Sequence, residues 1–419
     1  MSPDPRFRPI DRRRFLQLLG AAGGVSVLAA CSGSSKNPAV GAATTATPTS
    51  VFSGAVPTKT LVIVQLNGGN DGLNTLVPAD GRYRDARPTL AIPEKDVLTL
   101  KGLDGFGFHP SLAPLQRLWD DQRLGLVQSI GYPEPDRSHF VAMDSWWRAD
   151  DPTLTTGWLG RAFDAISGEL DPLFAVALGA QAPVLHGDHS WPIEVLRSGD
   201  FRFADLVETD MLRSLGSPLS TDPLFALAQQ AFERAVDAVA EFDHVTSSSQ
   251  DDNADTGSDR EGGASIAAGL HTAAQLIVTG KASKLIVVTA GGFDTHADQL
   301  DTHAALLSDL ASGIDTFYAA LEKAGVADDV LLVTTSEFGR RVAENASGGT
   351  DHGKGGLTFM AGKGASPGLH GTLDLKDLQD GDVRSQVDPR TLFTACLDWI
   401  GADAKSVLGV RYDEERLLR

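Results

Sequence analysis

Cysteine is nearly missing from this chain. Only Cys31 and Cys396 occur among 419 residues, so no disulfide framework of several bridges can hold the fold. Positive charge is short as well. The 36 Lys and Arg face 55 Asp and Glu, giving −19, and no basic stripe exists to meet a nucleic-acid backbone. Nucleic acid is therefore excluded as a partner. A small anionic substrate is not, because a local site can oppose the global field. Long apolar runs are lacking too. The N-terminal apolar stretch is too short and too Gly-rich for a comfortable permanent span. There is no internal repeat and no pterin, haem or flavin fingerprint.

What is present begins with a targeting segment, residues 1–31. Arg12, Arg13, Phe15 and Leu16 match the twin-arginine export pattern, with Asp11 where Ser or Thr is usual. Leu28-Ala29-Ala30-Cys31 reads as a lipobox, with Cys31 the lipidation site. An uncleaved anchor or plain secretion is the alternative. The expected location is the cell envelope, with membrane contact through a lipid anchor only. Residues 32–57 are Ser, Thr, Ala, Gly and Pro, a tether too poor in large apolar groups to offset its ordering entropy. A single folded domain is expected over 58–419, with a flexible acidic insertion at 246–263. Cys396 lies in an apolar helical pattern and reads as a small core residue.

Six segments read as strands: 61–66, 123–130, 173–178, 284–290, 330–336 and 357–362. Several are continuously apolar, as strands covered on both faces should be. Helical patterns lie between them, at 111–120, 222–242, 264–280, 296–325 and 388–401, the last opening on an Asp cap and Pro. The alternation predicts an α/β fold with a mostly parallel central sheet flanked by helices. Ligands bind such sheets at the carboxyl ends of the strands.

Three strands run into residues able to bind metal or move protons. "LVIVQLNGGNDGLN" leads to Asn67, Asn70 and Asp71. "KLIVVTAGGFDTH" leads to Asp294 and His296. "VLLVTTSEFGRR" leads to Glu337, Arg340 and Arg341, and Asp351 and His352 follow in "GGTDHGKGG". Each ending has a plain structural reading: a glycine turn, a helix cap, a surface ion pair, a loop histidine. Together they point to one site, because carboxylate oxygens and imidazole nitrogens suit zinc, manganese or iron. In "PEPDRSHFVAMDSWWRAD" Ser138 stands at a helix start, where free N–H groups favour an anion. It reads either as a nucleophile beside a phosphate or sulfate, or as an ordinary cap with His139 in the core or cap.

As a set, NGGNDGLN, DRSHF, GGFDTH, SEFGR and TDHG in this order resemble an exported, twin-arginine-signal family of uncharacterised, sulfatase-like proteins. That family is related to the alkaline phosphatase superfamily. The resemblance covers about residues 58–400 and implies an alkaline phosphatase-like sheet with its site at strand ends. In the superfamily two metals flank a Ser, Thr or formylglycine nucleophile. Carried over, Asn67 falls where an Asp ligand is usual, so Asp71 is expected to serve instead. Ser138 matches the nucleophile, Asp294 and His296 a metal pair, and His352 the last histidine. Glu337-Phe338-Gly339 falls where Asp-His-Gly is common, and Phe338 cannot bind metal.

The expected function is a metal-dependent hydrolase of phosphate or sulfate esters, one-metal or degenerate. Zinc or manganese would sit on Asp71, Asp294, His296, Glu337 and His352, and Ser138 and Arg340 would be catalytic, Arg340 by neutralising developing charge. The competing expectation is a non-catalytic binding or assembly protein that keeps the fold. A third, a calcium-binding surface protein, rests only on the acidic insertion.

Overall fold

The computed structural model describes residues 57–166, 173–195, 265–279 and 283–419, with Val236, Asp237, Phe242 and Val245. The export segment with Cys31, nearly all of the tether, most of the 222–242 helical pattern and the acidic insertion lie outside the described residues. Residues 49–419 form one compact unit.

Among the described residues the strands in chain order are β1 (Thr60–Leu66), β2 (Leu76–Pro78), β3 (Leu98–Leu100), β4 (Leu103–Phe108), β5 (Leu124–Ile130), β6 (Ala175–Leu178), β7 (Ile193–Val195), β8 (Leu285–Ala290), β9 (Val330–Thr335), β10 (Gly356–Ala361), β11 (Gly368–His370) and the short pair β12 (Leu378–Gln379) and β13 (Asp382–Val383). Eight of them form the main sheet in the order β11-β5-β10-β9-β1-β8-β6-β7. β1 is parallel to both β8 and β9, and only β10 runs against its neighbours. This is an α/β fold with a mostly parallel central sheet. β2, β3 and β4 form a small antiparallel sheet that the sequence pattern did not reveal.

The apolar run of β1 follows from burial on both faces. Val62, Val64 and Leu66 enter one core, and Leu61 and Ile63 enter the other. Each such side chain contributes roughly 1.5–3 kcal/mol when fully buried. Helices cover both faces. On the first lie α3 (Ile266–Val278) and the long α4 (Gln299–Ala324), whose Leu307, Leu310, Ile314, Phe317 and Leu321 recur three and four residues apart. α4 stops at Gly325, in the left-handed conformation that favours glycine. On the second face lies α5 (Pro389–Trp399), with Asp388 accepting the Arg390 N–H and proline in its first turn. Its Cys396 is wholly buried, and burial pushes the thiol well above its ordinary pKa, as suits an inert core residue. The 111–120 segment begins as a 3-10 helix, Pro110–Leu115, with Pro114 inside it, and becomes α-helical only at Gln116. No helix among the described residues is long and apolar enough to cross a membrane.

Two short helices matter for the site: α1 (Gly72–Thr75), directly after the β1 loop, and α2 (His139–Arg148), which follows β5.

Candidate metal centre

Four adjacent strands deliver the site. β8, β1 and β9 bring Asp294, the Gly68–Gly69 turn and Glu337 at their carboxyl ends. His352 precedes β10 instead of following it. Because β10 alone is antiparallel, its amino end lies on the same edge of the sheet. His139 arrives from the loop after β5, as the first residue of α2.

Asp294 is the centre. Its Oδ1 lies 3.0 Å from His296 Nε2 and 3.1 Å from His352 Nε2, and those two nitrogens are 2.9 Å apart. Its Oδ2 lies 3.4 Å from His139 Nε2. One ligand atom each from His139, Asp294 and His352 falls within 4.8 Å of the other two.

The outward nitrogens of the rings fix the tautomers. His352 Nδ1 is 2.8 Å from the Arg137 carbonyl, which can only accept, so Nδ1 carries the proton. His139 Nδ1 donates to Glu337 Oε1 at 2.8 Å, and His296 Nδ1 to Asp351 Oδ1 at 3.1 Å. In its neutral form each ring would turn an unprotonated Nε2 toward Asp294. Outer acceptors of this kind orient histidines that ligate metals. Two such lone pairs 2.9 Å apart beside a carboxylate repel unless a cation or an added proton lies among them. The edges of a zinc coordination tetrahedron with 2.0–2.1 Å bonds are about 3.3 Å. The distances from Asp294 lie close to that value, and His139, Asp294 and His352 are the residues whose ligand atoms are all mutually near, so these three could hold a divalent ion.

The charges agree. Burial alone would raise the Asp294 pKa, but hydrogen bonds from Arg340 and His352 outweigh it and bring it to about 2. His139 is pushed up, chiefly by its bond to Glu337. Asp351 is pulled down, first by the Asn345 amide and then by His296.

The glycines after β1 have a steric reason. Gly68 has φ +121°, and a Cβ there would lie 2.2 Å from the Asp294 nitrogen. Its N–H donates to Glu337 Oε1 at 2.7 Å. Glu337 is 3% exposed, and its Oε2 has no hydrogen-bond partner among the described residues. Trp146 Nε1 holds the Glu337 carbonyl at 3.0 Å. Arg340 is buried and ties the loops together. It donates to the carbonyls of Gly68, Gly69, Phe293 and Thr350, and to Asp294 Oδ1 at 2.6 Å. Phe338 packs its ring 5.1 Å from His139 and 4.5 Å from His352, filling the space beside them.

The structure thus gathers Asp294, His296, His352, Glu337 and Arg340. Asp71, expected among the ligands, lies elsewhere. It is 1% exposed, caps α1 through the N–H groups of Leu73 and Asn74, and pairs with Arg87 at 2.6 Å. Its oxygens are committed to those donors and to Gln299, so it is not with the ligands. Ser138 does precede α2, but it is exposed and its side chain makes no capping bond. Its N–H is held instead by Asp136 Oδ1 at 2.7 Å. His139 joins Asp294 and His352 although the sequence pattern did not mark it as a ligand. Its position, first in the helix that follows a strand's carboxyl end, was the available signal.

No curated protein matches this chain. Solved structures resemble it distantly. A protein in the alkaline phosphatase superfamily from Vibrio parahaemolyticus is 9% identical, with TM-score 0.40, over 98% of this chain and 80% of that one. The lipoteichoic acid synthase LtaP from Listeria monocytogenes is 10% identical, with TM-score 0.37, over 84% and 74%. The PsFucS1 sulfatase from Pseudoalteromonas sp. is 10% identical, with TM-score 0.35, over 87% and 74%. Likeness at this level does not carry an activity from one chain to another. Residues 119–416, which include every site residue named above except those of the β1 loop, match the family described as "Protein of unknown function (DUF1501)", and the chain belongs to that family.

Proposed function

We propose that this chain is a one-metal hydrolase of phosphate or sulfate esters. The observation that supports this most is the cluster of His139, Asp294 and His352, whose ligand atoms lie within 4.8 Å of one another, with His296 Nε2 3.0 Å from Asp294 Oδ1. Zinc or manganese would be held by Asp294 and His352, with His139 and His296 on either side. When bound, the ion would polarise an ester oxygen and lower the pKa of a water or hydroxyl.

The chain's own residues supply the rest. Asp351, Glu337 and the Arg137 carbonyl keep the rings turned inward. Arg340 positions Asp294 and places positive charge beside it. Glu337 Oε2, buried and without a hydrogen-bond partner among the described residues, would be the base for an attacking group that reaches it. Ser138, next in sequence to His139, is the candidate nucleophile.

A second reading has one observation in its favour. Phe338 occupies the space against His139 and His352, which argues for a single ion and suits a binding protein without turnover. One experiment separates the two. The purified chain is loaded with zinc or manganese, its metal content is measured, and p-nitrophenyl phosphate and p-nitrophenyl sulfate are offered. Bound metal with hydrolysis, both lost in His352→Ala, supports the hydrolase. Bound metal with no turnover leaves the binding protein. A chain that takes up no metal ends the hydrolase and leaves the non-catalytic binding protein.

We also propose export in the folded state with a lipid on Cys31. Lysine at both Arg12 and Arg13 should leave the precursor inside the cell, and normal export of that variant would defeat the proposal.

A further inference from the structure

Gln299 is the first residue of α4 and is fully buried. Its amide orientation is determined, because one side faces a carboxylate that can only accept. Nε2 donates to Asp71 Oδ2. Oε1 therefore faces the other way and accepts from two hydroxyls, Thr295 at 3.1 Å and Thr350 at 2.7 Å.

Those two threonines belong to the loops that carry the site. Thr295 stands between Asp294 and His296. Thr350 stands two residues before His352, and its carbonyl is held by Arg340 at 2.7 Å. The loops are joined there, with the Thr350 N–H on the Thr295 carbonyl at 3.2 Å and the Gln299 N–H on Gly348 at 2.9 Å. Gln299 thus joins two loops at a point between their ligands and fastens both to Asp71, which Arg87 holds in turn.

We infer that Gln299 is a positioning residue for the metal centre, and that Asp71 acts through it without touching the ion. The chain of contacts runs from Arg87 to Asp71, to Gln299, to the hydroxyls of Thr295 and Thr350, and through the backbone to His296 and His352. This rests on the one-metal reading for its consequence, though not for its geometry. A merely structural hub would set the stability of the domain. A positioning hub sets where the imidazoles sit relative to one another, which is what metal affinity reads.

The test uses the purified chain with Thr350→Val, Thr350→Ser and Gln299→Met. Valine keeps the volume of threonine and removes the hydroxyl, whereas serine keeps the hydroxyl. Cobalt(II) is titrated by its visible absorbance, and amide exchange is followed in the metal-free chain. Thr350→Val and Gln299→Met should weaken cobalt binding about tenfold or more, as the loss of an outer support does, while Thr350→Ser stays near wild type. In the metal-free chain the 294–296 and 350–352 amides should exchange faster in Thr350→Val while β8 stays protected. Wild-type cobalt affinity and unchanged exchange in Thr350→Val would overturn the inference. Should wild type take up no cobalt, the metal reading fails, and the exchange measurement alone decides whether the hub positions the loops. If Gln299→Met does not fold, the Thr350 pair carries the test.

Discussion

Asp71 and Asp294 follow strands that lie side by side, β1 and β8, and both come after a glycine turn. One closes into the fold and the other opens onto a site. Around Asp71 every oxygen meets a donor: Arg87, Gln299 and the amides of Leu73 and Asn74. Arg87 in turn donates to Asn74 and to the carbonyls of Arg341 and Val342. Burial would raise the Asp71 pKa, and the Arg87 pair more than offsets it, so the group stays charged. Asp294 is 44% exposed at its side chain; its Oδ1 accepts from Arg340, and its oxygens otherwise face the Nε2 atoms of His139, His296 and His352. A carboxylate whose acceptors are matched by donors is structure. One with a single firm donor, Arg340, and imidazole nitrogens at its remaining positions has room for a cation.

The largest expected effect breaks the closed side. Asp71→Asn leaves Arg87 buried without its counter-charge and should cost about 3–5 kcal/mol, read by urea denaturation. Asp294→Asn should cost under about 1 kcal/mol in the metal-free chain, because Asp294 itself is partly exposed and the buried Arg340 keeps four carbonyl acceptors. It should nevertheless weaken metal binding by about 100-fold or more. If Asp294→Asn proves the more destabilising, the two sites have been assigned the wrong way round.

A smaller effect sharpens the comparison through pH. Behind Asp71, His303 is fully buried with its Nε2 on Asn70 Oδ1 at 3.0 Å, and His109 lies beside it. Burial brings both histidines down to about 4, although Asp71 pulls the other way. The folded chain then binds fewer protons than the unfolded one between pH 6.5 and 4. Stability from these groups is complete above pH 6.5 and falls as the solution is acidified toward pH 4. At pH 5 the loss from His303 should be on the order of 2 kcal/mol relative to pH 7. His303→Gln keeps a donor for Asn70 and removes the titration, so its stability should change less over that interval. A pH profile parallel to wild type would mean that His303 does not titrate on unfolding.

These contrasts explain how much was legible beforehand. All six strands read from apolar runs are present, because burial on both faces leaves a local mark. Asp294, Glu337 and His352 stood out because each lies at the end or start of such a strand. Asp71 carried the same mark and misled, since the difference rests on Arg87, sixteen residues on, and on Gln299, 228 residues on. His139 escaped because its role depends on Glu337, 198 residues away. Nor could the sequence show that β10 runs antiparallel, on which the placement of His352 depends. Residue type and local period gave the elements, and only the long-range partners separated ligand from counter-ion.

The smallest expected effect concerns the start of α2, where a cap and a nucleophile look alike in sequence. The Ser138 hydroxyl does not cap the helix; Asp136 holds the Ser138 N–H at 2.7 Å instead. Ser138→Ala should therefore change stability by less than about 0.5 kcal/mol, as exposed substitutions do. Asp136→Ala should cost about 0.5–1.5 kcal/mol by freeing the turn that leads into the helix. With stability and metal affinity unchanged, any fall in ester hydrolysis in Ser138→Ala must come from the hydroxyl itself. A large fall makes Ser138 the nucleophile. Full activity assigns the attack to water beside Glu337, and Glu337→Gln should then abolish turnover while Ser138→Ala does not.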